Sequence, residues 1–153
     1  MGNYLNPGNE KFRRMIQSEI YVDKTGMIKY TNSVLDTAQN YVCVSRPRRF
    51  GKSVTANMLT AYYSRGCDSE GLFADLEISK SADFKKYLNQ FDVIHLDIQW
   101  CMEPAGGADQ VVPYISEKTI AELKEYYPDA LSEDAKSLPE ALSCLLYTSD
   151  AAD

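Results

Sequence analysis

One nine-residue segment combines the residue types that bind phosphate groups in proteins. It runs Ser45-Arg46-Pro47-Arg48-Arg49-Phe50-Gly51-Lys52-Ser53, between an apolar stretch and an amphipathic one. Gly51 lets a phosphate approach the backbone closely, and the N-terminus of a following helix adds partial positive charge. Lys52 can bridge phosphate oxygens, and the hydroxyl of Ser53 can bind Mg²⁺. The segment therefore predicts a phosphate-binding P-loop.

The segment departs from the standard P-loop pattern at one position. Arg46 stands where the pattern has its first glycine, five residues before Gly51. A Gly-Lys-Ser triplet alone is a weak signal, but a strand, a basic loop, the triplet and a helix together are a strong one. The alternative is a surface turn that ends in a helix cap, with its arginines in solvent.

The segments around this loop predict an α/β fold. Residues 40–44 are short, apolar and β-prone, which is typical of a buried central strand, and residues 91–98 predict a second strand. The spacing of apolar residues predicts helices over about 10–17, 23–35 (with Asp23 as its N-cap), 53–63, 83–88 and 109–127, and from Leu138 onward. This order favours parallel strands joined by helical crossovers.

Two motifs resemble those of the bacterial AAA-ATPase-like domain proteins. One is the loop from Arg46 to Ser53, and the other is the upstream stretch Tyr21-Val22-Asp23-Lys24-Thr25. The resemblance covers residues 3 to about 143. It implies a P-loop NTPase-type parallel sheet flanked by helices, incomplete at the C-terminus. It also implies that the chain binds ATP and Mg²⁺, and that the full-length parent hydrolyses ATP.

The resemblance makes the loop a Walker A element. We assign nucleotide binding to seven residues of this loop: Arg48, Arg49, Phe50, Gly51, Lys52, Ser53 and Val54. Ser53 is also the expected Mg²⁺ ligand, and no catalytic residue is assigned. By the same analogy Asp23 and Lys24 would contact nucleotide, although helix capping explains Asp23 without it. Arg48 and Arg49 would contact phosphates, act on a neighbour's nucleotide or face solvent, and the sequence does not separate these roles.

Three segments follow from this interpretation. Residues 1–39 are a helical lead-in of the AAA-ATPase-like domain, residues 40–143 are the truncated P-loop ATPase core, and residues 144–153 are a non-native tail. The tail resembles translated sequencing adapter, so we expect the natural sequence to continue past Ser143. The family's Walker B acids, and often a PD-(D/E)XK nuclease-like domain, would lie downstream. Asp97 is the best-placed acid before the tail, but no second acid follows it.

Composition limits the remaining functions and partners. The 153 residues include 16 Lys and Arg against 22 Asp and Glu, a formal net charge of −6. This charge argues against a general nucleic-acid surface, so nucleic acid is expected only through a downstream domain. The four cysteines lack metal-ligand spacing. No secretion leader or membrane-spanning run is visible, so we expect a cytoplasmic protein without a membrane partner. The sequence does not decide whether the chain self-associates.

Two other functions also stay open. The arginine-rich loop could serve a non-catalytic interaction module that binds an acidic or nucleic-acid partner, with strong salt dependence and no need for Mg²⁺. A small P-loop kinase or other transferase would use the same phosphate cradle but pass the group to an acceptor. No acceptor-binding motif is recognisable.

Overall fold

The computed structural model describes residues 2–45, 47–131 and 137–150, which form helices and connecting segments. The chain divides into two compact units, one from Asn6 to Ile94 and the other formed by Gly2–Leu5 with the residues from His95 onward. The first unit contains α1 (Glu10–Ile16), α2 (Gly26–Val34), α3 (Lys52–Tyr63), α4 (Glu70–Phe73), a 3₁₀ helix (Glu77–Lys80) and α5 (Phe84–Tyr87). The second contains α6 (Ile98–Ala105), a 3₁₀ helix (Ala108–Gln110), α7 (Val111–Tyr126) and α8 (Leu138–Asp150).

The predicted parallel sheet is wrong for the part of the chain that the structure describes. Residues 40–44 are not a strand, and Tyr41 is 94% exposed instead of lying in a core. A strand needs a neighbour that pairs with its N–H and C=O groups. The second predicted strand, 91–98, does not supply that partner: it forms a parallel bridge to Ser64 at Phe91, and its end begins α6.

The predicted helices are largely confirmed, because apolar periodicity over several turns is a strong local signal. Helices α1, α3 and α7 begin and end close to their predicted bounds, and α8 begins at Leu138 as predicted. Helix α2 begins at Gly26, after Thr25 as N-cap, so the assignment of Asp23 as the capping residue is wrong. Residues 144–150 of the predicted non-native tail are part of α8, which extends to Asp150. Residues 151–153 of that tail lie outside the described residues.

The core of the first unit is aromatic. The rings of Phe12 and Phe73 stack with their centroids 4.9 Å apart, and Tyr62 meets Phe73 edge-on at 5.5 Å. All three side chains are fully buried, together with Ile28 of α2 and Met58 of α3. Rings of this size bury a large apolar area, and here they join α1, α3 and α4.

Residues 89–91 cap the C-terminus of α3. The last carbonyls of a helix have no partner within it and need one from elsewhere. Here the carbonyl of Ala61 accepts from Asn89 Nδ2 at 3.1 Å, that of Tyr62 from Asn89 N at 2.7 Å, and that of Tyr63 from Phe91 N at 2.9 Å. Asn89 adopts a left-handed φ of 57°, which aims both its backbone and its side chain at the helix end.

The start of α2 is bonded to the first 3₁₀ helix through Asp23 and Thr25. Asp23 Oδ1 accepts from the backbone N–H of Thr25 at 2.8 Å and from its hydroxyl at 2.7 Å, while Oδ2 accepts from Glu77 N at 2.8 Å. Thr25 Oγ1 in turn accepts from Ile78 N at 3.1 Å. Partial burial alone would raise the pKa of Asp23, but these hydrogen bonds outweigh it and hold the pKa below its usual value.

The second unit is organised by α7. The carboxylate of Glu122 accepts from the backbone N–H groups of Tyr4 and Leu5, at 3.1 Å and 3.3 Å, which fixes the N-terminal segment of this unit. A small core forms around Cys101, Val111 and Ile115. None of the helices in the described ranges has the length and apolar content needed to cross a bilayer.

We expect Asn89→Ala to lower the free energy of unfolding by about 2–3 kcal/mol, since it removes several hydrogen bonds and leaves a β-carbon at positive φ. Asn89→Gly loses the same side-chain bonds without that strain, so it should be about 1 kcal/mol more stable than the alanine variant. Urea unfolding followed by circular dichroism measures both. Equal stabilities of the two variants would contradict the role of the left-handed backbone.

Asp23→Asn should lower the free energy of unfolding by about 1 kcal/mol at neutral pH, since charge-assisted hydrogen bonds are lost at an exposed site. Because its folded pKa is lowered, the carboxylate stabilises the fold above its unfolded pKa of about 3.9, and this contribution disappears as the pH falls below that value. The difference from wild type should therefore shrink between about pH 5 and pH 3. Urea unfolding across this range tests it, with exposed Asp75→Asn as the control, and a pH-independent difference would contradict it.

Candidate functional site

The predicted P-loop forms a tight turn that ends at α3. The backbone N–H of Phe50 donates to the carbonyl of Pro47 at 3.4 Å, and Arg49 has a φ of 69°. Gly51 has a φ of 81° and is the N-cap of α3. A β-carbon at Gly51 would suffer the strain of the left-handed conformation and would meet Lys24 Nζ. The left-handed backbone is the reason that glycine is favoured here, since the lysine ammonium ends a flexible side chain and can move aside.

Helix α3 begins with the two residues that were predicted to bind phosphate and metal. Lys52 and Ser53 form its first turn and are exposed, and Val54 follows half-buried. The first helical hydrogen bond runs from Thr55 N to the carbonyl of Gly51 at 2.9 Å. The partial positive charge of the helix end therefore lies at residues 52–54.

The remaining loop residues lie towards solvent. Arg48 and Arg49 are exposed, and the ring of Phe50 is 59% exposed. Arg46, which replaces the first glycine of the standard pattern, lies outside the described residues. The structure thus brings Phe50 and Gly51 to the start of α3 with Lys52, while the two arginines extend from the preceding turn.

A cleft of about 460 Å³ lies between the loop and α2 in the first unit. This volume is within the usual range for small-molecule sites. Its lining combines charged residues with apolar and aromatic ones. The lining residues are Asp23, Lys24, Gly26, Met27, Tyr30, Val44, Phe50, Lys52, Thr55 and Glu77.

Lys24 reaches the loop from the other side of this cleft. Its Nζ donates to the carbonyl of Phe50 at 3.2 Å, so the Val-Asp-Lys-Thr motif and the P-loop motif meet in space. Sequence reasoning identified both motifs but not Tyr30, Met27 or Glu77 as part of the same cleft. Met27 and Tyr30 were placed in the predicted helix over about 23–35, and Glu77 was in no predicted element.

The acid closest to a Walker B pattern has a structural role. Asp97 belongs to the second unit and is the N-cap of α6, where its Oδ1 accepts from Gln99 N at 3.1 Å and Trp100 N at 3.3 Å. Within the described ranges, no group of three or more His, Cys, Asp or Glu side chains is placed to hold a metal ion. A protein-only metal centre therefore finds no support in these residues.

The cleft does fit a phosphorylated ligand. The ammonium groups of Lys24 and Lys52 and the N-terminus of α3 provide positive charge for phosphate oxygens. The hydroxyl of Ser53 is in the first turn, where a magnesium ion bound to phosphate also needs a protein oxygen. When bound, MgATP would supply the phosphates and the metal, and these three residues and the helix end would hold them.

Comparison with known proteins assigns the family. The family model described as Predicted AAA-ATPase (AAA-ATPase_like) matches residues 7–150, which is nearly the whole chain and includes both motifs. No curated protein and no solved structure matches the chain. Membership of a family of predicted ATPases is consistent with nucleotide binding at the coarse level. The chain therefore belongs to the predicted AAA-ATPase-like family.

Proposed function

We propose that this chain binds ATP with Mg²⁺ in the cleft between the P-loop and α2. The observation that carries this proposal is that two lysines, Lys24 and Lys52, line one cleft at the N-terminus of α3. The lining also contains Asp23 and Glu77, but Asp23 accepts hydrogen bonds at both carboxylate oxygens, whereas both ammonium groups belong to the part of the cleft at the positive end of α3. That placement favours an anionic ligand at the helix end. Membership of a predicted ATPase family supports ATP as that ligand.

Each part of the cleft has a distinct task in this proposal. Lys52 neutralises phosphate oxygens, Gly51 lets them approach the backbone, and the hydroxyl of Ser53 completes the coordination of Mg²⁺. The exposed rings of Tyr30 and Phe50, with Met27, offer an apolar surface on which a base can pack.

We assign binding to this chain and hydrolysis to the longer protein that the family resemblance implies. Hydrolysis requires an acid that orients the attacking water, in addition to the phosphate contacts. Of the two acids lining the cleft, Asp23 already accepts hydrogen bonds at both oxygens, and Glu77 belongs to the 3₁₀ helix that Asp23 anchors. The Walker B acids and the nuclease-like domain stay predictions about sequence beyond Ser143.

One observation favours a second function. Arg48 and Arg49 are exposed on a turn and are not among the residues that line the cleft, so they are available to an acidic partner or to a nucleic-acid backbone. Such binding would weaken steeply with added salt and would not require Mg²⁺. Magnesium dependence therefore separates this function from nucleotide binding.

Lys52→Ala should weaken MgATP binding by about 10- to 100-fold, because it removes a charge-assisted contact to phosphate. Isothermal titration calorimetry of the whole chain measures the dissociation constant, and unfolding curves check that the variant folds. Lys11→Ala is the matched control, since Lys11 is an exposed lysine on α1 outside the cleft lining. MgATP binding that is equally tight in wild type, Lys11→Ala and Lys52→Ala would contradict the proposed site.

A further inference from the structure

Lys24 bonds to the loop that carries Lys52. Its half-buried side chain ends 3.2 Å from the carbonyl of Phe50, the residue before the left-handed Gly51. The space next to Gly51 that a β-carbon would fill is occupied by the Nζ of Lys24. The ammonium therefore lies at the point where the loop backbone opens towards the cleft.

The backbone of Lys24 is held in place on both sides. Its neighbour Asp23 accepts the N–H of Glu77, and its other neighbour, Thr25, is fully buried and accepts the N–H of Ile78. These bonds attach the segment to the 3₁₀ helix Glu77–Lys80. The anchored backbone and the bond of Nζ to the carbonyl of Phe50 together place this charge beside the loop, and a preplaced charge favours recognition of an anion.

We propose that Lys24 is a second phosphate-binding cation of this cleft. Its ammonium group donates both to the carbonyl of Phe50 and to the phosphate chain of the bound nucleotide. This inference rests on the proposed function. An ammonium group has three N–H donors, so its bond to Phe50 leaves donors for phosphate. A phosphate oxygen is charged and accepts a stronger hydrogen bond than a neutral carbonyl does.

The alternative is that Lys24 only braces the loop. In that case its ammonium would stay on the carbonyl of Phe50 whether or not phosphate is present, and its chemical accessibility would not depend on the ligand. A phosphate contact instead covers the ammonium when nucleotide binds. The two roles therefore differ in how a phosphorylated ligand changes the reactivity of the amine.

The test combines binding and amine labelling of the whole chain. Calorimetry with MgATP, MgADP and adenosine compares wild type with Lys24→Ala, Lys24→Arg, Lys52→Ala and the control Lys11→Ala. We expect Lys24→Ala to weaken MgATP and MgADP at least about tenfold, to leave adenosine within about twofold, and to be largely rescued by Lys24→Arg. In wild type, MgATP but not adenosine should slow acetylation of Lys24 severalfold, measured by mass spectrometry against Lys11.

Three results would overturn the inference. If wild type and Lys11→Ala bind MgATP and Lys52→Ala does not, but Lys24→Ala binds normally, the proposed function stands and the role of Lys24 fails. If Lys24→Ala weakens binding but acetylation of wild-type Lys24 does not respond to MgATP, the residue is only a brace. If wild type does not bind MgATP, the proposed function fails and this inference fails with it. The labelling of wild type also decides the matter if Lys24→Ala does not fold.

Discussion

Helix α3 is held at both of its ends, and the arrangement of charges in the cleft depends on this. At its C-terminus, the carbonyls of residues 61–63 are bonded by the segment 89–91, with Asn89 in a left-handed conformation. At its N-terminus, Gly51 turns the chain into the helix with a positive φ that only glycine adopts without strain. Because a helix is stiff, fixing its far end also fixes the direction in which Lys52 and Ser53 leave its first turn.

The arrangement of charges in the cleft also depends on the position of the segment before α2, which contains Lys24. Asp23 and Thr25 fix this position by accepting the N–H groups of Glu77 and Ile78, which joins the start of α2 to the 3₁₀ helix. Lys24 lies between these two residues and spans the distance to the loop. In the Val-Asp-Lys-Thr motif, Asp23 and Thr25 therefore hold the backbone in place, and Lys24 between them carries the positive charge.

Local features were predictable from the sequence, and long-range features were not. The periodicity around Phe12, Met58 and Ile115 predicted α1, α3 and α7, because a helix is determined by its own residues. The apolar residues 41–44 predicted a buried strand, but a strand exists only with a partner, and the described chain places these residues at the surface. The same limit applies to Asp97, whose neighbours suggested the end of a strand but which caps α6.

The candidate site shows the same division. The role of Gly51, Lys52 and Ser53 in binding phosphate stays a prediction, but their place at the start of a helix could be predicted from residue type and order. Tyr30 and Glu77 could not, because they join the cleft through packing and hydrogen bonds between segments far apart in sequence. Lys24 was linked to the loop only by family resemblance, and the bond to Phe50 supplies the physical reason.

The central claim is that the chain binds nucleotide between the P-loop and α2. Hydrogen–deuterium exchange of the whole chain, with and without MgATP, tests this claim most directly because it locates the ligand along the backbone. The account predicts slower exchange in residues 47–55 and 22–30, with α7 unchanged. Slower exchange confined to residues 98–126, or no change anywhere at saturating MgATP, would contradict it.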